Sequence, residues 1–97
     1  MLTGKQKRFL RAQAHHLDPI FQVGKGGINE QLIKQVDEAL EARELIKVSV
    51  LKNCADDPRE IAAVIGERTR SEVIKVIGKK MIFFRQAKKN SKYNLPD

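Results

Sequence analysis

Apolar positions between residues 32 and 40 recur every three or four places (Leu32, Val36, Ala39, Leu40), the spacing of one face of a helix. Asn29 is a good N-cap for it, and Glu30 near its start favours the helix dipole. The period then changes to two. Ile46, Val48 and Val50 alternate with Lys47 and Ser49, which predicts a half-buried strand over 45–51. Asp57-Pro58-Arg59-Glu60 sets a capping residue, a proline at the first helical position and an acid in the first turn, so a further helix runs to about Arg68. Upstream, Thr3 caps a helix reaching about His16, with Leu10, Ala14 and Leu17 inward and Lys7, Arg8 and Arg11 outward. Asp18-Pro19 stops it, because proline disfavours helical geometry in the residue before it. Ile20–Val23 reads as a short strand, ended by Gly24-Lys25-Gly26-Gly27. Glu72–Ile77 and Met81–Arg85 are β-branched or apolar and are joined by Gly78-Lys79, a two-residue hairpin turn.

The predicted order is α-β-α-β-α-β-β. Strands separated by helices pair in parallel through right-handed crossovers, and the final hairpin adds an antiparallel strand. The fold class is therefore α/β, a single domain with a mixed four-stranded sheet packed with helices. Residues 1–85 form that domain, and the polar stretch 86–97 is expected to be a loosely held basic tail. The whole chain, 97 residues, is the size of one domain.

Composition narrows the partner. Nineteen Lys and Arg against twelve Asp and Glu give a net charge of +7, which points to a polyanion. The excess sits at the ends. Residues 1–25 carry Lys5, Lys7, Arg8, Arg11 and Lys25 against Asp18 alone. Residues 79–97 carry Lys79, Lys80, Arg85, Lys88, Lys89 and Lys92 against Asp97, while acids outnumber bases between them. If the fold unites the two blocks, Lys7, Arg8 and Arg11 share one basic surface with Arg85 and Lys88 beside the glycine loop. The longest apolar run is Ile61–Ile65, too short for a membrane span, and no secretory leader is expected. The lone Cys54 forms no internal disulfide, which suits a reducing cytoplasm.

The informative segment is Gly24-Lys25-Gly26-Gly27, a Gly-x-x-Gly turn between a strand and a helix start. Glycines let a phosphate backbone approach the main chain, helix N–H groups favour an anion, and Lys25 adds a mobile charge. KH domains clamp nucleotide backbones with such a loop. A tight strand-to-helix turn can use the same glycines for geometry alone. The Walker and Rossmann glycine patterns are both absent. His15 and His16 are adjacent and face different sides of a helix, so they form no metal pair. Cys54 reads as a small surface or core residue, and Asp56 and Asp57 as turn and cap residues. The four Phe sit where a core needs them, which argues against a base-stacking sheet platform. No catalytic residue, metal site, cofactor or small-molecule substrate is expected, and a monomer is.

Ala14-His15-x-Leu17, the strand into Val23-Gly24-Lys25-Gly26-Gly27, Glu44-Leu45-Ile46-Lys47-Val48, Val76-Ile77-Gly78-Lys79 and Phe84-Arg85 together resemble the CRM domain, and more closely its stand-alone bacterial form, the YhbY family. The resemblance runs from about Leu2 to Arg85. It implies a fold like the C-terminal domain of bacterial translation initiation factor three. It also implies RNA binding, on ribosomal RNA in precursors of the large subunit, with Gly24, Lys25, Gly26, Gly27 and nearby bases as the contacts. Plant-type members carry Thr-Gly-Gly after the third helix, where this chain has Thr69-Arg70-Ser71. The alternative reading is a module that docks on an acidic ribosomal or translation protein.

Overall fold

The computed structural model describes residues 2–88, 91 and 93–96. Three helices, α1 (Gly4–Ala14), α2 (Glu30–Arg43) and α3 (Pro58–Thr69), alternate with β1 (Phe21–Val23), β2 (Leu45–Val50) and the hairpin β3 (Glu72–Ile77) and β4 (Lys80–Phe84). The order is the one the hydrophobic pattern predicts. Each helix starts at its sequence signal. Thr3 and Gln6 form a capping box, the Asn29 side chain accepts from Leu32 N at 2.8 Å, and Asp57 accepts from Arg59 N at 2.9 Å ahead of Pro58. Helix α1 ends at Ala14, two residues earlier than expected, and Leu17 N closes the turn by donating to Ala14 O.

The strands lie in the order β1-β2-β4-β3. β1 runs parallel to β2, with Phe21 beside Val48 and Val23 beside Val50, and α2 makes the crossover. β4 lies antiparallel between β2 and β3, so it is interior although it comes last in sequence. That position explains its composition: Met81, Ile82, Phe83 and Phe84 are all buried, as a strand covered on both faces requires.

Alternation divides the core in two. Val23, Ile46, Val48, Val50, Met81 and Phe83 point to the face covered by α2 and α3. Leu45, Ile74, Ile82 and Phe84 point to the other face, which α1 covers with Leu10 and Ala14. A register shift between Val73 and Lys75 interrupts the β3–β4 pairing. Helix α1 lies across the strands. Leu2 N donates to Glu72 Oε1 on β3, and Ile20 N donates to Lys47 O on β2.

Described residues of the polar stretch after β4 make specific contacts with the fold. Glu44 turns α2 into β2 at φ 68° and is completely buried. Its carboxylate accepts from Ala87 N at 2.7 Å and Ser91 Oγ at 2.9 Å. The Tyr93 ring meets Phe84 edge-on at 6.0 Å, Leu95 packs on the α1 cluster, and Gln6 Nε2 donates to Pro96 O. Burial, then the charge of Glu44, pushes the Tyr93 phenol above the ordinary tyrosine range. Lys89 and Lys92 lie outside the described residues.

Candidate nucleic-acid interface

Gly27 N donates to Gly24 O at 3.0 Å, so residues 24–27 form a tight turn with Lys25 and Gly26 at its exposed tip. Among these glycines, Gly27 carries the conformational demand. Its φ is +67°, and a Cβ there would stand 3.2 Å from Asp56 Oδ2. Gly26 differs: it has no positive φ, and nothing lies within 4 Å of where its Cβ would be. The turn leads through Asn29 into α2. Gln22, Gly24, Gly26, Gly27, Asn29 and Gln31 line a shallow depression beside it. The acid nearest in sequence, Glu30, is paired with Arg68 Nη2 at 2.8 Å, and that contact raises the Arg68 pKa.

The sheet fixes the neighbours of this turn. Leu51 N donates to Val23 O, and Val50 N donates to Lys79 O at 2.7 Å. The ends of β1 and β2 and the β3–β4 turn therefore sit side by side. Lys25, Lys52, Lys79 and Lys80 are all exposed at this end. Lys52 comes from a stretch where acids outnumber bases, so its charge stood out from no pattern; the strand order brings it here.

Arg85 lies at the opposite end. β4 separates it from the turn by roughly 17 Å, five residues of strand. Its guanidinium donates to Asp37 Oδ1 at 2.6 Å, Asp37 O at 2.9 Å and Thr69 O at 2.7 Å, with Glu41 at 3.6 Å. Lys88 lines a depression with the same residues. The expectation that α1 bases share a loop-side surface with Arg85 and Lys88 is thus corrected. The physical reason is the strand order: an antiparallel β4 carries Lys80 to the loop end and Arg85 away from it.

In α1, Leu10 and Ala14 face the sheet, while Lys5, Arg8 and Arg11 are exposed and Lys7 is half-buried. Gln6 holds the tail on one flank. Helical spacing puts Lys7 and Arg11 on the other flank, turned toward the loop end of the sheet. Arg70 ends α3 at φ 57°, a left-handed position at which glycine is the usual residue. Cys54 is buried and serves the core. Among the described residues no group of three or more His, Cys, Asp or Glu could hold a metal ion, and no helix is long and apolar enough to cross a membrane.

A glycine turn at a helix start, on a mixed sheet with exposed lysines at the same end, describes a small α/β domain. The particular family follows from comparison. Residues 2–85 match the model of the CRS1 / YhbY (CRM) domain, and the chain belongs to that family. It is 56% identical over 96 residues to the Bacillus subtilis "Probable RNA-binding protein YqeI", covering 99% of this chain and 100% of that one. It is 33% identical over 95 residues to an "RNA-binding protein" of Haemophilus influenzae, covering 98% and 95%. The solution structure of a Staphylococcus aureus protein superposes with a TM-score of 0.84 at 58% identity, over 99% of this chain and 100% of that one.

Proposed function

We propose that this protein binds RNA by its sugar–phosphate backbone, through the Gly24–Gly27 turn and the bases Lys5, Lys7, Arg8 and Arg11 of α1. Its target in this reading is ribosomal RNA in precursors of the large subunit, bound by a cytoplasmic monomer without chemistry. The observation that carries the proposal is the turn itself: an exposed lysine and an unobstructed Gly26 at the head of α2, with Glu30 paired to Arg68 and the Asp56 carboxylate beside Gly27 rather than at the tip. The family membership and the RNA-binding names of its relatives support the same reading. Arg85 enters it as a brace between α2 and α3, since its donors are engaged inside the fold.

The test is the double variant Lys25→Asp with Gly26→Asp. Both positions are exposed, Gly26 has room for a side chain, and acids are tolerated near a helix N-terminus, so the fold should persist. A charge-assisted hydrogen bond contributes about 1.5–3 kcal/mol, so losing one contact weakens binding roughly tenfold or more. Four to six phosphate contacts give a log–log salt slope of about −3 to −4 for the unaltered protein. Wild-type affinity in the folded double variant would reduce Gly24–Gly27 to a turn. Association with ribosomal particles that survives nuclease would point to a protein partner instead.

A further inference from the structure

Helix α1 covers only part of its face of the sheet. It packs on Leu45, Ile74, Ile82 and Phe84, which lie toward the Arg85 end. Toward the loop end, the same face carries a row formed by Gln22, Ser49, Lys80 and Ile77 across the four strands. The next row places Lys47 and Lys75 on either side of Ile82. Lys75 and Lys80 are exposed, and Lys47 is half-buried. None of the three makes an ion pair among the described residues. Of the strand residues on this face, the one carboxylate is Glu72, in the far row, where it accepts from Leu2 N.

We propose that an RNA strand held at the Gly24–Gly27 turn continues over the loop end of this face, with phosphates taken by Lys80, by Lys47 and Lys75 on either side of the buried Ile82 at the margin of α1, and by Lys7 and Arg11 from the flank of α1. The proposal rests on the RNA-binding reading above and supplies the path of the strand. Charge complementarity selects the occupant: five cations on one face, without an ion pair among the described residues, repel each other, and a polyanion offsets that repulsion. The register places no lysine directly opposite another, which keeps the cost in the free protein small. The nature of the contact follows too. The two rows hold no aromatic side chain, so the surface offers no stacking platform and takes the backbone with little regard to base. Ile77, 55% exposed beside Lys80, is the apolar surface left for a ribose or base edge.

The experiment compares homopolymeric single-stranded RNAs of about 4 and about 12 nucleotides, both within the roughly 4–16-nucleotide range of single-strand site sizes. Proteins are wild type, Lys25→Ala, the triple Lys47→Gln/Lys75→Gln/Lys80→Gln, and Lys34→Gln, an exposed α2 control on the far side of the sheet. The triple variant is expected to bind the short RNA as wild type does and to lose the extra affinity of the long one. Its salt slope should fall by about 2, at roughly 0.7 per phosphate. Lys34→Gln should change nothing. If circular dichroism shows the triple variant misfolded, Lys80→Gln at the hairpin edge carries the test, with an expected slope change of about 0.7. A folded triple variant with the wild-type slope, alongside a weakened Lys25→Ala, overturns the sheet path and leaves the loop reading standing. Wild-type protein that binds neither RNA overturns the RNA-binding reading itself.

Discussion

Removing the Arg85 guanidinium separates two roles for this residue, RNA contact and internal brace. In Arg85→Ala three hydrogen bonds at 2.6–2.9 Å and one longer ion pair disappear. The two carboxylates are 56% and 45% exposed, so each pair contributes no more than about 0.5 kcal/mol after solvent screening. The larger share comes from Thr69 O, one of the last carbonyls of α3, which has no partner further along its own helix. A charge-assisted bond to it contributes about 1.5–3 kcal/mol, so the total is about 2–3 kcal/mol. For a domain near this size each kcal/mol moves the melting temperature by about 4–8 °C, which gives a fall of roughly 10–20 °C. Arg85→Lys should recover less than half of the loss, because an ammonium cannot span Asp37 and Thr69 as the planar fork does. Thermal unfolding by circular dichroism measures the first quantity. RNA affinity, taken well below the melting point of the variant, measures the second and should stay at the wild-type level. A melting temperature within about 2 °C of wild type together with lost RNA binding would refute the brace.

Gly27→Ala and Gly26→Ala should differ sharply in urea denaturation. The first forces a side chain into a left-handed backbone beside Asp56 and costs about 1–2 kcal/mol, whereas the second stays within about 0.5 kcal/mol. Tyr93 is the single tyrosine in a chain without tryptophan, so phenolate absorbance reports on the tail alone. Its midpoint should lie above that of free tyrosine, and Glu44→Gln should lower it partway, burial being the larger cause. Because the folded pKa is raised, the stabilisation from this contact is full below the ordinary tyrosine value and is lost as pH climbs through the folded one. A midpoint at the free value would mean that the ring is not packed against Phe84.

The elements were legible because their signals are local. Asn29, Asp57-Pro58 and Thr3 mark helix starts by side-chain chemistry within three residues, and all three cap as predicted. Strand order is not local. Nothing in Met81–Phe84 says that the last strand lies between β2 and β3, although four consecutive buried residues are what an interior strand needs. That hidden step misplaced Arg85 and concealed the cluster of Lys47, Lys75 and Lys80, whose spacing along the chain has no pattern. Contacts of the described tail residues are equally non-local: they meet the buried Glu44 carboxylate and the Gln6 side chain, partners that composition does not reveal. The Gly24–Gly27 turn was visible from the start, but which glycine needs its freedom, Gly27 rather than Gly26, is settled by backbone torsion.

The late arrival of β4 has a consequence for how the chain is made. A nascent chain that has emerged only as far as β3 has no interior strand: β2 can pair only with the three residues of β1, and β3 has no neighbour at all. Phe83 and Met81, which close the larger half of the core, are still to come. Long-range pairing of this kind delays folding until the entropy of closing the chain is recovered at once. The sheet therefore closes only once β4 is available to pair with both β2 and β3. The cationic surface is made in the same step, since Lys80 reaches the glycine turn only when the last strand slots into place.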